Sequence, residues 1–199
     1  PVETDGLQAY GYNRYLLECW VREHYPDALI VRLPGLFGKN IMKNFIYDYI
    51  HRIPFMLKDL KFDELSAKEP LLKEHYEKLD NGFWRVKTLS KQDTAALKEA
   101  FNRVGFSALN FTDSRSVYQF YPLTRLWDDI QVALKNNIKL LHLATEPISA
   151  GEVYRYLTGE EFRNKFSNYP AEYDYHTVYG ELFGGENPYI LSKEQVLSK

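Results

Sequence analysis

Tyr10 and Arg14 stand four residues apart in the stretch AYGYNRYLLECW (Ala9 to Trp20), where leucines and aromatics recur at helical spacing. Residues four apart on a helix share a face, so a phenol and a guanidinium there can be aimed into one cleft. A cation within a few ångströms of a phenol favours the phenolate. Such a pair can take a proton from a substrate hydroxyl or return it, help that is typically worth ~10²–10⁴-fold. Spacing alone does not single the pair out, because Tyr121 with Arg125 and Tyr189 with Lys193 repeat it in a chain of 16 tyrosines. Tyr121 precedes Pro122, and Tyr189 precedes Ser192, a residue suited to capping a helix, so neither of those pairs falls inside one continuous helix. Only Tyr10 and Arg14 lie in a helix that leads directly into an apolar strand. A packed or solvent-facing tyrosine–arginine pair is the other reading of the same residues.

The elements that must position this pair follow from the hydrophobic pattern. An amphipathic helix is expected from about Gly6 to Glu23, broken by Pro26 and Asp27, and ALIVRL (Ala28 to Leu33) reads as a short buried strand. A second buried strand is expected at KLLHLAT (Lys139 to Thr145), after the helical pattern LTRLWDDIQVALKNN. Ser149 and Glu152 then form a capping-box signature that starts another helix. Strands flanked by helices in this way predict a parallel α/β arrangement. Two such strands cannot cover their own edges and faces, so further sheet is expected from outside these residues.

Between the strands the pattern predicts helices over KNFIYDYIHR, SAKEPLLKEHYEKL and SKQDTAALKEAFNRVG, then an extended aromatic segment, FTDSRSVYQFYPL. FGGENP (Phe183 to Pro188) reads as a turn. Pro34 and Gly35 follow the first strand and turn the backbone at its C-terminal end, where doubly wound sheets bind ligands; a plain strand-ending turn is the alternative. Arg115 and Gln119, on the extended segment, are candidates for contacting a substrate phosphate, or else the residues of a solvated strand edge.

Composition narrows the function classes. With 25 basic and 27 acidic residues the net charge is −2, and the basic residues are scattered, which disfavours nucleic acid as a partner. No apolar run approaches the roughly 20 residues that span a bilayer, and the start of the chain lacks a basic or apolar leader pattern, so no membrane partner and a cytoplasmic location are expected. The single cysteine, Cys19, cannot form an internal disulfide, which fits a reducing compartment; among Leu17, Trp20 and Val21 it is expected to be a buried hydrophobe. The five histidines show no ligand spacing, so no metal is expected. The sequence contains no GxGxxG, P-loop or GxSxG motif. Pro1 in place of a methionine suggests that something precedes this segment.

The order of YGYNRYLLE, LIVRLPGLFG, an insertion, SVYQFYPLTRLWDDIQVAL and LLHLATEPISAGEVYRYLTG resembles the C-terminal half of the extended short-chain dehydrogenase/reductases, which include the NAD-dependent nucleotide-sugar epimerases and dehydratases. That family opens this half with Tyr-Gly-x-x-Lys and a Glu one turn on; Tyr10, Gly11 and Glu18 match, while Arg14 occupies the lysine position. The resemblance implies the C-terminal part of a Rossmann-like doubly wound parallel sheet with a helix-rich substrate-binding lobe. Residues 1–39 would end the dinucleotide-binding domain, 40–121 would form a mainly helical substrate lobe, and 122–199 would supply the last strand, its helices and a closing segment.

It further implies Tyr10 as acid/base and Arg14 as its cationic partner, the cofactor taking the hydride. The family's lysine also binds the cofactor's ribose, a task for which planar arginine is no free substitute. Pro34, Gly35 and Leu36 would form the loop passing the nicotinamide of NAD or NADP, and Asn44 and Phe45 would contact substrate. The function implied is the substrate-binding portion of an epimerase, dehydratase or reductase that lacks the cofactor phosphate-binding half and is inactive by itself. A homodimer is expected, as the equivalent helix packs in family dimers. A non-catalytic binding or regulatory module that kept the fold, or a structural half that pairs with a separate first half, are the alternatives.

Overall fold

A computed structural model describes residues 4–42 and 44–199; Pro1 and Lys43, where two of the expected segments begin, lie outside them. The described residues form a mixed α/β structure. In chain order its elements are α1 (Ala9–His24), β1 (Ile30–Arg32), β2 (Gly35–Phe37), α2 (Phe45–His51), β3 (Met56–Lys58), α3 (Asp59–Lys68), α4 (Leu72–His75), β4 (Tyr76–Lys78) and β5 (Phe83–Val86). There follow α5 (Lys91–Arg103), β6 (Val117–Tyr118), β7 (Phe120–Pro122), α6 (Leu126–Lys135), β8 (Leu140–His142), β9 (Ile148–Ser149), α7 (Ala150–Thr158) and α8 (Lys193–Leu197). No helix among the described residues is long and apolar enough to cross a membrane. The chain divides into two compact units: one comprises the residues up to Leu36 with Gln119–Glu146 and Asp174–Lys199, the other Phe37–Tyr118 with Pro147–Tyr173.

In the first unit β1 and β8 pair in parallel, Ile30 opposite Leu140, Val31 opposite Leu141 and Arg32 opposite His142. The apolar runs behind them explain the pairing. Leu141, Leu143 and Ala144 are buried together with Ile190, Leu191, Tyr121 and Ala133. β1 itself is only half-buried, because among the described residues it pairs with β8 alone. Asp129, 4% exposed, fixes α6 by accepting from the Tyr121 hydroxyl at 2.6 Å and from Arg125 at 3.2 Å. Gly35 is required where β2 begins: its N–H donates to the Gln119 carbonyl at 3.0 Å, and a Cβ would meet that same oxygen at 3.0 Å.

α1 departs from expectation in one respect. None of its residues is buried, and Cys19 is exposed rather than packed. Its apolar groups are distributed around the helix, with Tyr12, Leu16 and Trp20 on one line and Tyr10 and Leu17 on another, so no single stripe can be covered by one neighbour.

The second unit corrects the helical reading of its middle. The helix expected from Ser66 to Leu79 is interrupted at Pro70, and Tyr76–Lys78 forms strand β4. With β3 and β5 it makes a three-stranded antiparallel sheet in the order β3-β5-β4. Tyr76 is 2% exposed and its hydroxyl donates to the Pro54 carbonyl, an inward anchor that a helical register would not supply. The sheet is closed over by Phe62, Leu65, Leu72, Leu97 and Phe101, with Phe62 stacked on Trp84 at 3.8 Å between ring centres. The capping boxes at Ser90/Asp93 and Ser149/Glu152 start α5 and α7 at the residues the sequence indicates.

Candidate functional site

A groove of about 410 Å³ opens in the first unit at the C-terminal ends of β1 and β8, walled by α1. This volume lies within the range typical of small-molecule sites. Leu33 and Pro34 come from the end of β1, His142, Leu143 and Ala144 from β8 and its exit, and Arg14, Tyr15 and Glu18 from α1. Leu7, Gly11, Arg32 and Tyr175 complete it.

The local sequence explains why these groups converge. Arg32 and His142 are the polar residues that interrupt IVRL and LLHL, and the parallel register sets them side by side. The Arg32 guanidinium reaches Glu18 of α1 through two bonds, Nε to Oε2 at 2.9 Å and Nη2 to Oε1 at 2.7 Å, and its Nη1 meets His142 Nε2 at 3.0 Å. Arg22 adds a further bond to Glu18 Oε1 at 2.7 Å. The Arg32 hydrogen bonds hold the Glu18 carboxyl below its ordinary value, and burial followed by the Arg32 charge pushes His142 below that of a free imidazole. His142 is therefore the neutral member of the cluster near neutral pH.

Tyr175 is set at the groove by its backbone. The buried Gln119 amide donates to the carbonyls of Tyr175 at 2.7 Å and Thr145 at 2.5 Å, while its oxygen accepts from the Tyr175 N–H at 2.6 Å. The side chain of Gln119, 2% exposed, is thus occupied in holding this segment.

The structure distributes the residues anticipated from sequence unevenly. Arg14 and Pro34 line the groove, and Gly35 and Leu36 continue the chain from it into β2. Tyr10 is 74% exposed and lies outside the lining, with the Arg14 guanidinium over its ring at 5.3 Å from the centre. The two residues are neighbours, yet only the arginine enters the cleft. In the second unit Asn44 caps α2, its side chain accepting from the Tyr47 N–H at 2.7 Å, and Phe45 is buried against Phe162. Arg115 donates to both oxygens of Asp113 and to the Ser167 carbonyl at 2.7 Å, which fixes the loop from Phe166 to Ser167. Asn44, Phe45, Arg115 and Gln119 therefore all have structural partners, and none of them lines the groove.

Arg32, His142 and Tyr175 are groove residues that motif matching did not select, and Glu18, matched in the motif, was given no role in the site. A signal for two of them was present, since a charged or titratable residue near the end of each apolar strand marks the side chains that a parallel pairing brings together. Tyr175 had none, because its place depends on the buried amide of Gln119. No cluster of three or more histidine, cysteine or acidic side chains fit to hold a metal occurs among the described residues. No protein-family model, curated protein or solved structure matches the chain.

Proposed function

We propose that the chain is the C-terminal, substrate-binding portion of an NAD(P)-dependent epimerase, dehydratase or reductase acting on nucleotide sugars, with a Rossmann-like sheet continued beyond these residues. The observation that carries the reading is the position of the groove: it sits beyond the carboxyl ends of two parallel strands and against the helix that holds Arg14. Open α/β sheets bind ligands at that end of their strands. On this reading Tyr10, whose ring has the Arg14 guanidinium 5.3 Å from its centre, is the phenol that exchanges a proton with a substrate hydroxyl.

The residues present do not by themselves fit a whole dinucleotide. The sequence has no glycine-rich turn between a strand and a helix, the feature by which a Rossmann sheet holds a dinucleotide. Leu33 and Pro34 offer an apolar wall suited to the nicotinamide end only. A second reading, a binding module without turnover, is favoured by the exposure of Tyr10 outside the groove and by Arg14 in place of lysine.

Equilibrium dialysis of the chain with uridine diphosphate glucose and, separately, with NAD and NADP tests the proposal. The expected result is retention of the nucleotide sugar and negligible retention of either dinucleotide. Micromolar binding of NAD or NADP by this chain alone would overturn the division between substrate and cofactor halves. Failure to retain the nucleotide sugar would overturn the substrate assignment.

A further inference from the structure

Arg32 and His142 meet in the groove wall through a contact that only one protonation state permits. Arg32 Nη1 lies 3.0 Å from His142 Nε2. A guanidinium has N–H donors and no acceptor, so Nε2 accepts through its lone pair. The imidazole is then neutral, with its proton on Nδ1. An imidazolium carries an N–H on both nitrogens, and no rotation of the ring offers Arg32 an acceptor. Protonation of His142 therefore replaces a hydrogen bond by two facing N–H groups and two like charges.

The other partners of each group decide which one gives way. Arg32 donates Nε to Glu18 Oε2 at 2.9 Å and Nη2 to Oε1 at 2.7 Å, and Arg22 binds the same carboxylate at 2.7 Å. The guanidinium is thus tied to α1 by two bonds that protonation of His142 leaves in place, and the imidazole is the group free to turn. Burial and the Arg32 charge oppose the charged form of His142, while the Glu18 carboxylate and the His176 backbone favour it. Arg14 of α1 is a further cation in the lining, and Tyr15 and Tyr175 are its phenols.

We infer that the Arg32–His142 contact is an acid-released latch in the groove wall: the neutral imidazole closes it, and a proton on His142 opens it, freeing Arg32 Nη1 for a ligand and adding one positive charge to the site. The groove accordingly holds an anion more tightly in mild acid than at neutral pH. Histidine is the side chain whose ordinary titration range makes such a change accessible. The latch itself follows from the wall alone; the choice of anion in the test rests on the proposed function.

A titration of the ¹⁵N-labelled chain from about pH 8 to about pH 5 without ligand tests the latch. It follows the His142 ring nitrogens, the Arg32 Nε–H and the backbone amides of Leu33, Leu143 and Ala144. The expected result is an unprotonated Nε2 at the upper end and one shared midpoint for all these signals, below the ordinary histidine value of 6.5. His142→Gln places an amide oxygen where it can accept from Arg32 but takes no proton, and it should abolish the shared step. A protonated Nε2 at the upper end, a His142 titration that leaves Arg32 Nε–H unmoved, or a step at the groove amides that persists in His142→Gln would each overturn the inference. Uridine diphosphate glucose, whose charge is constant over this range, should bind about fivefold tighter at the acid end, the gain from one charge ~8 Å from a doubly charged ligand in a water-like surrounding. In His142→Gln the two affinities should be equal. Equal affinities in the parent would overturn the inference, whereas no binding at either pH overturns the nucleotide-sugar reading and leaves the ligand-free titration to decide the latch.

Discussion

Replacing Gln119 by methionine tests whether this residue is a structural clamp. The substitution keeps side-chain length and removes the amide, deleting the bonds to the Thr145 carbonyl and to the N–H and carbonyl of Tyr175. At about 1 kcal/mol net for each hydrogen bond, the loss comes to about 3 kcal/mol. Methionine in the 2% exposed site recovers up to about 1 kcal/mol through its apolar atoms, leaving a net cost of about 2–3 kcal/mol. With a urea slope of about 2 kcal/mol per molar, the unfolding midpoint of the first unit should fall by about 1 M. Amide hydrogen exchange at Tyr175 is the local readout, and its protection should fall at least as far as the global value. A midpoint lowered by less than about 0.3 M, with Tyr175 protection unchanged, would refute the clamp.

Three further outcomes follow from the same structure. His142 has a depressed proton affinity in the folded state, so the unfolded chain binds the proton more tightly, and stability should be full above the ordinary histidine value of 6.5 and decline as pH falls below it. In His142→Asn that part of the decline should vanish from a series of urea melts, and a pH profile identical to the parent would refute the assignment. The exposed Cys19 thiol should react stoichiometrically with a disulfide reagent in the native protein, and protection until unfolding would contradict the placement of α1. The uncovered apolar residues of α1, with Trp20 at 48% and Leu17 at 53% exposure, should drive self-association that Leu16→Glu with Trp20→Glu abolishes. Light scattering from a monodisperse monomer at high concentration would count against it.

What the sequence made legible was local. The capping boxes at Ser90 and Ser149, the cap at Ser192 and the two apolar runs that pair as β1 and β8 depend on neighbours within a few residues or on continuous hydrophobicity. The sheet β3-β5-β4 was not legible, because each of its strands is three or four residues long and Tyr76–Lys78 reads equally well as the end of a charged helix. Only the partner strand Phe83–Val86 decides the matter. Cys19 was misplaced for a related reason: its apolar neighbours in sequence, Leu17 and Trp20, stay about half exposed among the described residues.

The site divides in the same way. Arg14 and Pro34 could be picked by type and spacing, whereas Asn44, Phe45, Arg115 and Gln119 look like binding residues until their partners are known. The Glu18–Arg32–His142 contact joins residues far apart in the chain, and only the register of β1 on β8 creates it.

The central claim is that ligand binds beyond the ends of β1 and β8, and the most direct measurement is the location of that binding. A ¹⁵N-labelled chain titrated with uridine diphosphate glucose should show its largest backbone shifts at Leu33, His142, Leu143, Ala144 and Tyr175, with Arg14 and Tyr15 following on α1. Shifts confined to the second unit, or none up to millimolar ligand, would contradict the account.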